Sequence, residues 1–450
     1  MGSAARPVVN ALDRELAARL DALQAQGLRR ELRRVDSAPG PRLMLDGHSL
    51  LNFSSNDYLG LAAHPALKEA AIRATEKFGT GSGASRLICG SLAPHHELEA
   101  ALADFKGTAA ALSFSTGYAA AVGTIGALLG KDDVVILDKL VHACIVDAAK
   151  LSGATIRVFR HNDLDRLEDH LRWATVRSGK TLVVTESIFS MDGDRAPLRE
   201  IVELKDRHGA WLMVDEAHAT GMFGARRRGL AEELGVSERI EIQMGTLGKA
   251  LGAAGGYIAG SRVLVDFLVN RARSFIFSTA PVPAQSAAAK AAVELVQSLE
   301  GAELCNRLWE RVAQAQPDVA HNVGQASRLS PTSIPCLPAK WGPATDEEIG
   351  AEPLSDDVRD RRDACPTPSS AILPLLLGDE SLALAMAAEL RQRGLFVPAI
   401  RYPTVARGQA RLRITLSAAH SADDVATLAA ALAGIHNPQS AIHNDQACPA

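Results

Sequence analysis

Between residues 56 and 293, short apolar runs alternate with longer amphipathic stretches, and that rhythm leaves few folds open. The runs at 134–138, 155–159, 181–185, 211–214, 240–245 and 256–259 are almost continuously apolar. A strand without a polar face is buried on both sides, as in a mostly parallel sheet lying between two layers of helices. The expectation is an α/β domain whose ligand groups collect at the carboxyl ends of its strands. One uncharged stretch, 109–130, is long enough to cross a bilayer. Ser113, Ser115, Thr116, Thr124 and several glycines interrupt it and charges flank it closely, so a buried strand, turn and helix is expected instead.

Around this domain the chain divides further. Residues 1–55 read as an N-terminal arm with a helix over 11–34, and 56–293 as the large domain. Residues 294–435 read as a smaller α+β domain, and 436–450 as a polar tail. A helix from 294 is expected to stop at about 316. Residues 317–366 hold seven of the chain's 21 prolines with no sustained apolar period, the mark of an irregular insertion. Regular structure resumes with strands at 371–378, 396–400 and 410–416 and a helix over 381–393. A last helix begins near Ser421, which can form a capping box with Asp424.

Composition sets bounds on partners and compartment. A net charge of −4 gives no reason to expect nucleic acid or an anionic membrane. The six cysteines are scattered without a Cys-x-x-Cys pair, which suits free thiols in a reducing cytoplasm. No basic segment followed by an apolar run opens the chain, so no signal peptide is expected. His95-His96-Glu97 lacks further ligands at metal spacing, so no zinc site is expected. Asp215-Glu-Ala-His218 has the letters of a helicase box, but no Gly-x-x-x-x-Gly-Lys-[Ser/Thr] accompanies it to hold nucleotide phosphates.

Two segments carry the chemistry. Trp211-Leu-Met-Val-Asp-Glu-Ala-His218 ends an apolar run in an acid and an imidazole, and Met244-Gly-Thr-Leu-Gly-Lys-Ala-Leu-Gly252 follows it. A lysine whose surroundings favour the free amine can form a Schiff base with the aldehyde of pyridoxal 5′-phosphate (PLP). That cofactor also needs an acid against its ring nitrogen, a place for Asp215, with His218 near the ring hydroxyl. Lys249, Asp215 and His218 together point to a PLP enzyme. Gly117 and Tyr118 open a helix after an apolar run, where backbone amides can hold the phosphate, and the Thr246 hydroxyl can join them. His142 follows the 134–138 run and is placed to stack on the open ring face; Ser190 is placed to bond the ring oxygen. Each of these has an ordinary structural reading when taken singly. Arg413 alternates with apolar neighbours on a strand, and an inward guanidinium there suits an amino-acid carboxylate.

Longer motifs surround these residues: Asn52-Phe-Ser-Ser-Asn-Asp-Tyr-Leu-Gly-Leu61, Gly79-Thr-Gly-Ser-Gly83, Phe189-Ser-Met-Asp-Gly-Asp194 and Val214-Asp-Glu-Ala-His-Ala-Thr-Gly221. With the Lys249 segment they closely resemble the α-oxoamine synthases, a group of fold-type I PLP enzymes. The similarity spans arm, large domain and C-terminal domain, and only the proline-rich insertion interrupts it. Phe396-Val-Pro-Ala-Ile-Arg-Tyr-Pro-Thr-Val405 with Ala410-Arg-Leu-Arg413 looks like the C-terminal signature of the biotin-pathway branch. The resemblance implies a cytoplasmic homodimer with its active site at the interface, where Ser278 and Thr279 reach the phosphate across subunits. It implies that Arg29, Arg401 and Thr404 contact substrate and that His142 lies near the acyl carbonyl. The implied reaction joins L-alanine to a pimeloyl thioester, carried on CoA or an acyl-carrier protein, with loss of carbon dioxide. Lys249, His142, Asp215 and His218 are its catalytic groups. Sister enzymes taking glycine or serine with another thioester are the alternative.

Overall fold

The computed structural model describes residues 10–177, 179–326 and 370–434. Helix α1 (Ala11–Ala25) is followed by a hairpin of β1 (Arg42–Leu45) and β2 (His48–Asn52), then α2 (Pro65–Phe78) and α3 (Ala93–Lys106). Strand and helix next alternate: β3 (Ala110–Phe114), α4 (Gly117–Leu128), β4 (Val134–Asp138), α5 (Ala143–Ser152), β5 (Thr155–Phe159) and α6 (Leu164–Thr175). The alternation continues with β6 (Thr181–Glu186), α7 (Leu198–Arg207), β7 (Trp211–Asp215), a one-turn α8 (Leu230–Glu233), β8 (Ile242–Thr246) and β9 (Gly256–Gly260). Helices α9 (Arg262–Arg271), α10 (Arg273–Ile276), α11 (Pro283–Gln297) and α12 (Leu299–Ala326) lead to the C-terminal part. There β10 (Ile372–Gly378), α13 (Glu380–Gln392), β11 (Leu395–Phe396), β12 (Ala399–Ile400), β13 (Ala410–Thr415) and α14 (Ala422–Ala433) complete the described chain.

The large sheet has the order β3-β9-β8-β7-β6-β4-β5. It is parallel from β8 to β5, while β9 runs antiparallel to both its neighbours. Side chains divide between its faces with the two-residue period of a strand. Val134 and Ile136 join one core with α6, α7 and α11, while Val135 and Leu137 join the other with α4, α5 and α9. Both faces are dry, which is why these runs carry no polar alternation. The stretch 109–130 folds as β3, a turn and α4, and among the described residues no helix is long and apolar enough to cross a membrane.

Four expectations need correction. The arm helix ends at Ala25 rather than residue 34, because Gly27 turns the chain at φ +66° and 28–34 then run without regular structure. The helix expected to stop at 316 continues to Ala326 with Pro317 inside it. Proline removes one backbone donor from a helix, a loss of ~3 kcal/mol or more. Packing outweighs it here: Leu308, Val312, Ala315 and Val319 keep one buried face running across the proline. The single strand expected at 396–400 is two. Leu395–Phe396 pairs with β2 and Ala399–Ile400 with β13, and Pro398 between them has no N–H to continue a ladder. The run at 240–245 pairs only from Ile242, since Ser237–Arg239 form a short 3-10 turn that leaves the ladder late. The rest of the expected insertion, 327–366, and the tail 436–450 lie outside the described residues. The Ser421–Asp424 capping box is present, with Asp424 N–H donating to Ser421 Oγ at 3.1 Å and Ser421 N–H to Asp424 Oδ2 at 2.9 Å.

Candidate active site

Four adjacent parallel strands end in Asp138 (β4), Glu186 (β6), Asp215 (β7) and Thr246 (β8), so their carboxyl ends make one polar floor. Asp215 is fixed by Ala217, whose N–H donates to Oδ1 at 2.9 Å, and by Ser187, whose N–H donates to its carbonyl at 2.9 Å. Burial pushes its carboxyl up, and the positive charge of the Lys249 ammonium pulls it back toward the ionised form.

Lys249 sits in the turn after β8, closed by Ala253 N–H to Leu247 O at 2.8 Å and Gly252 N–H to Lys249 O at 2.8 Å. Gly252 has φ +58°, and a Cβ there would lie 2.5 Å from the backbone of Leu61 and Ala62. The turn is thereby pressed against the Asn52–Leu61 motif. Lys249 Nζ lies 2.6 Å from His218 Nε2, and His218 Nδ1 lies 2.5 Å from the Tyr58 hydroxyl. Burial lowers the pKa of Lys249, against the pull of Asp215 and Glu186. Burial, with Lys249 and Arg413 nearby, drives His218 well below its ordinary value. A neutral imidazole donates from one nitrogen and accepts on the other, so His218 relays between amine and phenol without carrying charge. Tyr58 itself is pushed up to about 12, chiefly by burial.

Arg413, on β13, donates from Nε to Ser190 O at 2.7 Å and from Nη1 to Thr415 Oγ1 at 2.9 Å. Its Nη2 is buried and makes no hydrogen bond of good geometry among the described residues, with the Tyr58 hydroxyl beside the guanidinium. A buried guanidinium nitrogen left this way is costly, and a ligand carboxylate would satisfy it. Glu186 has the complementary defect. Oε2 accepts the Ser190 N–H at 3.2 Å and the His142 backbone N–H also bonds this carboxyl, while Oε1 is buried without a partner among the described residues. Burial first, and Asp215 second, raise its pKa to about 8.

His142 caps α5, accepting the Cys144 N–H on Nδ1 at 3.2 Å, and burial lowers its pKa, so it is neutral. Gly117 begins α4 beside β8 and β9. A Cβ on Gly117 would stand 3.7 Å from Met244 and 4.0 Å from Thr246, and one on Gly256 would strike Gly117 Cα at 2.6 Å. The contact at Gly117 is an ordinary one, whereas Gly256 has to be glycine for the α4 N-terminus to come this close to β9. Tyr118 contributes only its backbone there, since its side chain is exposed and donates to Asp147 at 2.9 Å.

Not every expected residue gathers at this floor. Ser278 and Thr279 lie in an exposed turn bridged to Ser85 and share a narrow crevice with Arg86 and Ser115. Arg29 forms a loose pair with Glu31 at 3.8 Å, and the neighbouring Arg30 donates to Thr404 Oγ1 at 3.3 Å. Of the two, Arg30 is the arginine that reaches the 401–404 turn. That turn is closed by Thr404 N–H to Arg401 O at 3.0 Å. Tyr58 and Glu186 are additions to the expected set. Tyr58 lies within a quoted motif, and Glu186 stands one residue past an expected strand end.

The cradle at Gly117, the amine–imidazole–phenol relay and the two poorly bonded polar atoms fit PLP with an amino acid on it. Comparison with known proteins agrees. The family model for aminotransferases of class I and II matches residues 48–324 and 354–432. An 8-amino-7-oxononanoate synthase of Anaeromyxobacter dehalogenans (strain 2CP-1 / ATCC BAA-258) is 47% identical over 93% of this chain and 95% of its own. One from Geobacter metallireducens is 45% identical over 94% and 98%. Among solved structures, a serine palmitoyltransferase from S. paucimobilis with bound PLP superposes with a TM-score of 0.79 at 29% identity, covering 95% of this chain and 98% of that one. An 8-amino-7-oxononanoate synthase from Francisella tularensis superposes with 0.64 at 25% identity, covering 85% and 96%. The chain belongs to the class I and II aminotransferase family and, within it, to the 8-amino-7-oxononanoate synthases. Its fold is fold-type I and its cofactor is PLP.

Proposed function

We propose that the protein condenses L-alanine with a pimeloyl thioester, on CoA or an acyl-carrier protein, to give 8-amino-7-oxononanoate and carbon dioxide, a step of biotin biosynthesis. The observation that carries the chemistry is Lys249 Nζ, held 2.6 Å from a neutral His218 on the same buried floor as Asp215. When bound, PLP supplies an aldehyde for amino groups and a ring that takes up the electron pair released at Cα.

The chain does the rest. Arg413 grips the alanine carboxylate through the nitrogen that lacks a hydrogen bond of good geometry and so orients the bonds at Cα. Lys249, whose pKa burial lowers, takes the Cα proton. Asp215 holds the ring-nitrogen proton, and His218 and Tyr58 serve the ring oxygen with Ser190. His142 lies on the ring face near the incoming acyl carbonyl. Gly117, Tyr118 and Thr246 hold the phosphate. Arg29 or Arg30 from the arm, with Arg401 and Thr404 from the small domain, hold the acyl donor. Arm (1–55), large domain (56–293) and small domain (294–435) thus each supply part of the site.

A homodimer completes it. The surface around Ser278 and Thr279 exposes Leu87, Ile88, Phe277 and Val282, with Ile88 79% and Phe277 71% accessible, which is the character of an interface. A second subunit seated there would bring Ser278 and Thr279 to its partner's phosphate. The free thiols Cys89, Cys144 and Cys305 suit a reducing cytoplasm.

Mass spectrometry of the product tests the reading. L-alanine with pimeloyl-CoA or a pimeloyl carrier protein should give 8-amino-7-oxononanoate. Faster turnover of glycine or serine with another thioester would move the protein to a sister activity. Lys249→Ala should abolish both turnover and the visible absorbance of the bound cofactor.

A further inference from the structure

We infer that His161 is a positioning residue: a doubly bonded imidazolium that ties the loop carrying His142 to the loop carrying Ser190. Its Nδ1 lies 3.0 Å from Asp138 Oδ1 and its Nε2 lies 2.7 Å from Asp194 Oδ2. A neutral imidazole has one N–H, while two ionised carboxylates only accept, so satisfying both takes the charged form. Burial opposes that charge, but Asp138 and Asp194 outweigh it and hold the pKa up at about 9.

Each carboxylate shapes a different loop of the active site. Asp138 ends β4 and is fully buried; its Oδ1 also accepts the Leu140 N–H at 2.8 Å, bending the turn that delivers His142. Asp194 closes the other turn: its carbonyl accepts the Phe189 N–H at 3.0 Å, and Gly193 N–H donates to Phe189 O at 2.8 Å. Phe189 precedes Ser190 and meets the imidazole ring at 4.3 Å and 87°. Asn162 doubles the tie, its backbone N–H donating to Asp138 Oδ2 at 2.9 Å and its Nδ2 to Asp194 Oδ2 at 3.1 Å. It does so at φ +57°, a left-handed conformation that asparagine tolerates better than most residues. His161 and Asn162 thus form a two-residue clamp beneath two groups that face the cofactor. The inference rests on the site described above, but not on which thioester it uses.

The test is PLP binding by His161→Gln, followed by visible circular dichroism as cofactor is titrated into cofactor-free protein. A glutamine keeps one donor and turns a carbonyl toward the other carboxylate, so the clamp opens. PLP affinity should fall about ten-fold or more, and the dichroism of the saturated holoenzyme should shrink. Asp194→Asn, which leaves the buried Asp138 intact, should move both in the same direction by less. If either variant at saturating PLP shows wild-type dichroism and wild-type affinity for L-alanine, the clamp is merely structural and the inference fails. Wild-type protein without a visible band would instead sink the cofactor assignment.

Discussion

Lys106→Met should damage this protein more than Lys106→Met and Glu216→Gln made together. Lys106 Nζ lies 2.6 Å from Glu216 Oε2, and both side chains are 1% accessible. Nζ also donates to Arg228 O at 2.5 Å, and Glu216 Oε1 accepts the Ala231 N–H at 2.9 Å. The loop is moulded around this carboxylate: at Gly229, φ +140°, a Cβ would stand 2.4 Å from either carboxylate oxygen. Removing the ammonium strands a buried charge that water cannot reach, a loss of about 3–5 kcal/mol. Neutralising both partners removes the attraction but leaves no orphan charge, and the glutamine still accepts from Ala231. The double variant should therefore recover roughly 2 kcal/mol of what the single variant loses, by the same accounting of orphaned charge. Glu216 follows Asp215 directly, so the single variant should also disturb the visible band of the cofactor. Denaturation midpoints at fixed protein and PLP concentration measure the first effect, since bound ligand shifts them by mass action. Losses that simply add from the singles to the double, or a double variant weaker than Lys106→Met, would refute the reasoning.

Three further outcomes follow. Arg413→Lys should weaken L-alanine binding roughly 10- to 100-fold, the value of one or two charge-assisted hydrogen bonds, read from the amino-acid-induced shift of the cofactor band; unchanged affinity would place the carboxylate elsewhere. Gly256→Ala would push a Cβ to 2.6 Å from Gly117 Cα, so it should cost about 1–3 kcal/mol in stability and loosen PLP more than pyridoxal, which lacks the phosphate; equal losses for both ligands would count against a cradle at α4. Because the folded-state pKa of His161 is raised to about 9, its stabilisation is complete below the unfolded value near 6.5 and lost as pH rises through about 9, about 3 kcal/mol in all. Melting temperatures of the wild type should fall over that window more steeply than those of His161→Gln, and parallel profiles would exclude the contribution.

Much of this site is legible from one rule, because the rule is geometric. Where dry parallel strands end, backbone direction delivers the next side chains to a common floor, so Asp215, Thr246, Lys249 and His142 can be gathered without knowing strand order. Glu186 obeys the same rule and, like Asp215, stands one residue past an expected strand, but the ring nitrogen calls for a single acid and Asp215 fills that place. Tyr58 and Arg413 come from elements far away in sequence. Their meeting with His218 depends on how the N-terminal and C-terminal parts dock, and no local period encodes that.

At Pro317 a local signal meets a tertiary competitor. Proline at 317 argues for a break, yet the buried spacing of Leu308, Val312, Ala315 and Val319 was there to outvote it. The reversed direction of β9 within the mostly parallel sheet follows from chain length. The segment 247–255 that joins it to β8 is shorter than the dozen or so residues a parallel crossover requires. That short connection has a chemical consequence, because it is the Lys249 turn. A crossover helix in its place would carry the lysine away from the floor, whereas a tight antiparallel return holds Nζ against His218 and sets Gly256 against the start of α4. The single strand that breaks the parallel pattern is thus the one that joins the amine site to the phosphate cradle.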